Sequence, residues 1–238
     1  MAARARNLRD LLDKALPDPA MHDAAPSPLQ RRAAALVALP TAGVLALQYL
    51  LILLATRDNV GPLLGTIRFL SYFTILSNLG VLLVAAQAWF APQGVFMRAP
   101  VRGAVALYIG VTGLVYAAIL QSTWDPQGAW LWADLGLHYL VPALYLGWWL
   151  ASPGHGRLGW RHAVAWLAFP LAYLGWLMLR GAWLAEYPYP FVDLAALGWR
   201  QVLANAAVLL SLFLALGLAL VVVDRVLARR AMALRAAG

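Results

Sequence analysis

A threonine and a histidine that can act together as a nucleophile and its base stand in apolar segments of this 238-residue chain. Thr74 lies in the polar stretch Ser71–Asn78. His138 is the only ionisable residue inside a predicted membrane span. A threonine hydroxyl attacks a carbonyl carbon when a neighbouring base takes its proton, and the pKa of histidine suits that task near neutrality. Because an ionisable residue within a membrane is costly, His138 marks a functional site by default.

The two residues are predicted at similar depths below the same membrane face. At 1.5 Å per helical residue, Thr74 lies roughly 7–8 Å below the start of its span and His138 roughly 4–5 Å. Each residue also has a structural interpretation. Membrane threonines often hydrogen-bond to the preceding turn or join helices, and an interfacial histidine is satisfied by water or lipid headgroups. Residue type and depth leave both interpretations open.

Further polar residues are predicted around this pair. Asn78 and Asn205 are expected to line the same cavity, because a buried amide needs partners where water is absent, and one of them would supply an oxyanion donor. Asp134 precedes His138 by four residues and shares its helical face, so it would orient the imidazole; Asp193 is the rival for that task. The outer halves of the spans hold most of the polar residues, which predicts a polar cavity that opens near the outer face. No cofactor is expected, and one intramembrane histidine without cysteine leaves too few ligands for a metal.

The segments that position these residues are typical of a membrane protein. Hydrophobic residues make up 63% of the chain and charged residues 12%, whereas soluble domains have about 45–50% and about 25%. Six uncharged apolar runs are near the ~20 residues that a spanning helix needs. The sequence therefore predicts an all-α bundle of six transmembrane helices. The predicted spans are Ala33–Thr56, Phe69–Phe90, Gly103–Trp124, Leu135–Gly154, Ala163–Leu179 and Gln201–Val223.

The positive charges predict the orientation of the bundle. Fourteen of the 18 Lys and Arg residues fall on the side that holds both termini, which places that side in the cytoplasm. Residues 1–32 are then a cytoplasmic tail, 33–223 the transmembrane domain and 224–238 a basic cytoplasmic tail, in the cell inner (plasma) membrane. Topology explains the net charge of +8 without a nucleic-acid partner. The oligomeric state is left open.

Several motifs occur in a fixed order over roughly residues 35–225. They are Arg68-Phe69-Leu70-Ser71-Tyr72-Phe73-Thr74 with Ser77-Asn78, Trp124-Asp125-Pro126-Gln127-Gly128, Asp134 through His138, Pro142 with Tyr145-Leu146-Gly147-Trp148-Trp149, Arg180-Gly181, Tyr187-Pro188-Tyr189-Pro190-Phe191-Val192-Asp193, and Asn205. This set resembles a bacterial family of six-span membrane proteins. That family is related to the eukaryotic androgen-induced-gene proteins, which hydrolyse fatty acid esters of hydroxy fatty acids.

The resemblance implies an intramembrane hydrolase of lipid esters, with Thr74 as the nucleophile and His138 as its base. Its substrate would be a lipid or fatty-acyl ester that enters from the bilayer. The resemblance assigns no role to the loop Tyr187–Asp193. Two non-enzymatic alternatives remain: a small transporter or lipid-binding protein whose cavity holds its ligand, and a structural subunit of a larger membrane complex.

Overall fold

The computed structural model describes residues 28–237, without the side chains of residues 235 and 237. This part of the chain is all-α, with nine α-helices and no strand. The helices are α1 Pro28–Thr56, α2 Gly61–Leu70, α3 Phe73–Phe90, α4 Ala99–Val115, α5 Ala129–Leu135, α6 Val141–Ala151, α7 Trp160–Ala165, α8 Ala168–Leu184 and α9 Leu194–Ala237. Two π-helical turns lie at Tyr116–Leu120, which continues α4, and at Gly136–Leu140, which joins α5 to α6.

Five helical segments are long and apolar enough to cross a membrane. They are α1, α3, α4 with the turns that extend it to Thr123, α7 together with α8, and α9. Large apolar side chains cover their outer surfaces: Leu36 is 68% exposed and Val208 is 70% exposed. Such surfaces are stable in lipid, so the chain is a membrane-embedded helical protein. The continuous helical stretch 129–151 also reaches membrane length, but it carries Asp134 and His138 and is less apolar than the other five.

The predicted second span is interrupted where it should begin. α2 ends at Leu70, Tyr72 has extended backbone angles (φ −90°, ψ 129°), and α3 starts at Phe73. Thr74 therefore lies in the first turn of α3, where backbone N–H groups have no partner within the helix. The prediction of one unbroken helix from Phe69 was wrong because the apolar run continues through the break without a proline or glycine.

The first and last helices extend beyond the predicted boundaries of the spans. α1 begins at Pro28, before the predicted boundary, and α9 continues to Ala237. Asp224, predicted as the first tail residue, is 2% exposed. Residues 1–27 of the predicted N-terminal tail lie outside the described residues.

The core lies where α1, α3, α4 and α6 meet, with α7 and α9 closing one side. Close helix approach depends on small residues. A Cβ atom at Gly113 of α4 would lie 3.0 Å from the backbone oxygen of His138. The missing side chain at Gly113 thus lets α4 lie directly against the π-helical turn that carries His138.

Candidate active site

Thr74 and His138 are in contact, as the sequence predicted. The Thr74 Oγ1 and His138 Nε2 atoms are 3.2 Å apart. Thr74 is 8% exposed, and the His138 side chain is 13% exposed. The pair comes together because α3 packs against the π-helical turn between α5 and α6. The distance suits a hydrogen bond in which the hydroxyl donates and the imidazole accepts.

The other ring nitrogen of His138 faces Asp134, which settles the choice between the two aspartates. His138 Nδ1 lies 3.0 Å from the backbone oxygen of Asp134 and 3.1 Å from its Oδ1. Both are acceptors, so we assign the proton of the neutral imidazole to Nδ1. Nε2 is then free to accept the proton of Thr74. Asp134 itself is 4% exposed.

Tyr116 completes this arrangement, and the sequence analysis missed it. Its hydroxyl donates to Asp134 Oδ2 at 2.5 Å, and its ring stacks on His138 with a centroid separation of 3.8 Å and an interplanar angle of 10°. Tyr116 and His138 both lie in π-helical turns, a feature found frequently at functional sites. One tyrosine among nine, at the end of an apolar run, gave no signal of this role.

Two tyrosines hold the start of α3, and with it Thr74. The backbone N–H of Phe73 donates to the hydroxyls of Tyr173 and Tyr189, each at 3.0 Å. Tyr173 in turn donates to the carbonyl of Ser71 at 2.7 Å. These bonds satisfy backbone groups that the break in the helix leaves unpaired. They also fix the orientation of the first turn of α3.

A cavity of about 90 Å³ lies beside Thr74. Its walls come from α3, α4, α8, α9 and the Pro190–Val192 turn, and His138 is not among the lining residues. The polar lining residues are Thr74, Thr112, Tyr173 and Tyr189; the rest are apolar, including Phe73, Val111, Leu177, Ala206 and Phe213. The predicted polar cavity is therefore corrected to an apolar one with a few hydroxyls. Thr74 therefore lines an apolar cavity and contacts the imidazole of His138 through its hydroxyl.

Asn78 and Asn205 do not line this cavity, contrary to the prediction. Asn78 Nδ2 donates to the carbonyls of Thr74 at 2.7 Å and Leu137 at 3.2 Å. It thus joins α3 to the turn of His138. Asn205 Nδ2 donates to the carbonyl of Phe191 at 2.8 Å. Both amides support the backbone near the site, and neither lines the cavity in which an oxyanion would form.

Asp193, the other predicted aspartate, lies elsewhere. Its Oδ1 accepts the N–H of Ala196 at 3.0 Å, which caps the first turn of α9. Gly198 follows with φ 72°, where α9 bends. Asp193 therefore determines where the last helix starts, and Asp134 is the carboxylate that contacts the imidazole.

Within the motif Tyr187–Asp193, the residues Tyr189, Phe191 and Val192 form one wall of the cavity. Tyr187 packs over Gly181, where a Cβ atom would lie 2.1 Å from the tyrosine ring. Tyr189 is 8% exposed, lines the cavity and stacks on Phe191 with parallel rings 5.2 Å apart. The loop thus brings a buried tyrosine hydroxyl to the start of α3.

An ion cluster ties this loop to α2 and α8. Arg68 pairs with both carboxylate oxygens of Glu186, at 3.1 Å from Nε to Oε2 and also through Nη2 to Oε1. Arg180, which is 3% exposed, donates to Glu186 Oε2 at 3.0 Å and to its backbone oxygen at 2.8 Å. The hydrogen bond from Arg68 is the largest cause that lowers the pKa of the Glu186 carboxyl. Arg68 lies shortly before Thr74 in the sequence, and Glu186 lies shortly before Tyr189. The ion cluster therefore holds the segment of Thr74 close to the loop of Tyr189.

No protein family model, curated protein sequence or solved structure matched the chain. The chemical interpretation therefore rests on the geometry of the site. A buried hydroxyl, a histidine with a defined tautomer and a buried carboxylate stand in line beside an apolar cavity. A nucleophile, a general base and an orienting carboxylate are arranged in this order in hydrolases that use a catalytic triad.

Proposed function

We propose that this protein is an intramembrane hydrolase of lipid esters in which Thr74 is the nucleophile and His138 is the base. One observation carries the proposal: Thr74 Oγ1 lies 3.2 Å from His138 Nε2 at the wall of an apolar cavity. A structural threonine in a membrane helix bonds back to its own helix, as Thr41 does to the carbonyl of Val37 at 2.7 Å. Thr74 bonds instead to a histidine on another helix.

The reaction follows from the assigned proton positions. Thr74 Oγ attacks the ester carbonyl carbon while its proton passes to His138 Nε2. The bond between the carbonyl carbon and the alkoxy oxygen then breaks, and the departing alcohol takes the proton from Nε2. Water, deprotonated by the same nitrogen, attacks the acyl-threonine and releases the acid and the free hydroxyl. Asp134 stabilises the imidazolium that forms between these steps.

The cavity favours an acyl chain as the occupant beside Thr74. Its volume of about 90 Å³ is below the ~150 Å³ of an apolar cavity that binds one benzene molecule. It therefore takes a segment of a chain next to the ester, with the rest of a lipid in the bilayer. The likeness to the hydrolases of fatty acid esters of hydroxy fatty acids supports the same substrate class.

Six spans with both termini in the cytoplasm complete the proposal. The stretch 129–151 is the fourth of the six spans in chain order, and the lower apolar character of its first half is explained by the site residues that it carries. Thr74 then lies near the outer face of the inner (plasma) membrane. A ligand carrier is the second candidate, and the apolar cavity lined by hydroxyls favours it.

Hydrolysis of a panel of lipid esters by the purified full-length protein in detergent tests the proposal. We expect release of free acid from fatty-acyl esters by the wild type and none by Thr74→Ala. Val208→Ala is the matched control, because Val208 is 70% exposed on the lipid-facing surface. A folded wild type that binds these esters without cleaving them would instead establish the carrier.

A further inference from the structure

Tyr189 is placed to contact the reacting atoms. It lines the cavity together with Thr74 and is 8% exposed. Its hydroxyl accepts the N–H of Phe73, the residue before Thr74, at 3.0 Å. The hydrolysis described above uses Thr74, His138 and Asp134, and the Tyr189 hydroxyl has no role in it.

The reaction requires a donor at this place. When Thr74 Oγ bonds to the ester carbon, the carbonyl oxygen attached to that carbon becomes negatively charged. An oxyanion in an apolar cavity without a donor would be strongly destabilised, and removal of one such donor costs about 10²–10³ in kcat. The donor must therefore lie beside Thr74.

The other polar side chains near the cavity donate hydrogen bonds to backbone carbonyls. Asn78 and Asn205 donate to backbone carbonyls. Thr112 donates to the carbonyl of Tyr108 at 3.0 Å, and Tyr173 donates to that of Ser71 at 2.7 Å. Among the other hydroxyls that line the cavity, that of Tyr189 is the one that donates no hydrogen bond within the described part of the chain.

We propose that the Tyr189 hydroxyl donates a hydrogen bond to the oxyanion formed on Thr74. This inference rests on the proposed hydrolase function. The N–H of Phe73, at the positive end of α3, donates to the same hydroxyl and makes it a stronger donor. No covalent bond to Tyr189 forms, and its proton stays on the phenol throughout.

The surroundings keep Tyr189 in the required protonation state. Burial of the ring is the largest cause that raises the pKa of its hydroxyl, so the phenol stays protonated at neutral pH. Stacking on Phe191 fixes the ring, so the hydroxyl position does not depend on a bound ligand. The loop Tyr187–Asp193 thereby gains a function: it positions an oxyanion donor.

Tyr189→Phe in the full-length protein tests this role, with p-nitrophenyl butyrate as the substrate. We expect kcat to fall about 10²- to 10³-fold with KM unchanged, because the lost bond exists only in the transition state. Tyr187→Phe is the matched control, from the same loop but outside the cavity lining, and should keep the wild-type kcat. A Tyr189→Phe variant with wild-type kcat would overturn the proposal.

Inhibition separates an oxyanion donor from a structural tyrosine. A trifluoromethyl ketone with the same acyl chain adds to Thr74 and forms an oxyanion, whereas the matching secondary alcohol binds without one. The ratio of their Ki values does not depend on the folded fraction, so it remains informative if Tyr189→Phe is less stable. A loss of ketone affinity alone supports the donor; an equal loss for both compounds overturns it.

The failure of the hydrolase function would look different. In that case the wild type itself neither cleaves p-nitrophenyl butyrate nor forms a covalent adduct with the ketone, and both proposals fall together. If the wild type is active and the variant is equally active, only the role of Tyr189 is lost.

Discussion

The bundle contains two buried histidine–aspartate pairs at opposite ends, and only one of them has the surroundings of an active site. At one end, His138 Nδ1 faces Asp134 and Nε2 faces the hydroxyl of Thr74. At the other end, His155 Nδ1 lies 2.9 Å from Asp224 Oδ1, while its Nε2 is buried and has no hydrogen-bond partner among the described residues.

The carboxylates of the two pairs are used differently. Asp224 also accepts the N–H groups of Gly156 and Leu158, each at 2.9 Å, so it ties the turn after α6 to α9. Asp134 accepts from Tyr116, whose ring covers the imidazole. A histidine–aspartate pair is therefore not by itself a catalytic feature. His138 differs from His155 in that its second ring nitrogen faces the hydroxyl of Thr74, a residue that lines the cavity.

The largest expected effect separates the two histidines by activity. Thr74→Ala and His138→Ala should each lower ester hydrolysis by about 10⁴-fold or more, and the double variant should be little worse, because the two residues act as one unit. His155→Ala should keep the wild-type rate per folded molecule. Initial rates in detergent measure all four variants. Additive losses in the double variant would contradict a shared step.

Stability should show the opposite pattern. Asp224→Ala leaves two backbone N–H groups and His155 without their partner, and we expect the free energy of unfolding to fall by about 3–5 kcal/mol. Thr74→Ala should cost only ~0.6 kcal/mol, the mean for hydrogen bonds between membrane helices. Thermal unfolding in detergent measures both, with Asp58→Ala as a control, since that side chain is 80% exposed. An unchanged Tm for Asp224→Ala would refute the structural role.

Smaller losses of kcat are expected for Asp134 and Tyr116, which orient the imidazole and do not contact the substrate. Asp134→Asn should lower kcat by about 10²-fold, the size expected from a misplaced catalytic group. Tyr116→Phe keeps the stacked ring but loses the hydrogen bond to Asp134, and its effect should be smaller than that of Asp134→Asn. Steady-state kinetics measure both. A Tyr116→Phe variant with the larger loss would show that Tyr116 acts on the substrate rather than through Asp134.

The smallest expected effect is on the stability at low pH of the loop that carries Tyr189. The pKa of Glu186 is lower in the folded protein than its ordinary value, chiefly because of the hydrogen bond from Arg68. The stability from this group is therefore present above the unfolded pKa of about 4.3 and is lost as the pH falls through the folded pKa. Glu186→Gln should remove this part of the acid dependence of Tm. Identical Tm–pH curves would show that the cluster adds no stability.

The sequence allowed the prediction of some contacts and not others, for physical reasons. Asp134 and His138 are four residues apart in a helical segment, so their proximity follows from helix geometry. Thr74 and His138 were paired by depth and by resemblance to a family, and the structure brings them together. Local patterns carry this kind of information because helices have a fixed rise and period.

The contacts that were missed depend on tertiary packing. Tyr189 and Thr74 are 115 positions apart, and Tyr189 reaches Thr74 through the fold of a loop between α8 and α9. His155 lies between two predicted spans and Asp224 at the start of the predicted tail. Their contact could not be predicted, because it depends on a turn that packs on a helix. Asn78 and Asn205 were assigned to the cavity by residue type, whereas both amide nitrogens donate to nearby backbone carbonyls.

Covalent labelling tests the central claim most directly. A fluorophosphonate reacts with a hydroxyl that a neighbouring base has activated, and peptide mass spectrometry identifies the modified residue. We predict that the wild type is modified at Thr74, that His138→Ala lowers the labelling rate strongly, and that His155→Ala labels like the wild type. A folded wild type that is not labelled, or is labelled only at residues other than Thr74, would contradict the assignment of Thr74 as the nucleophile.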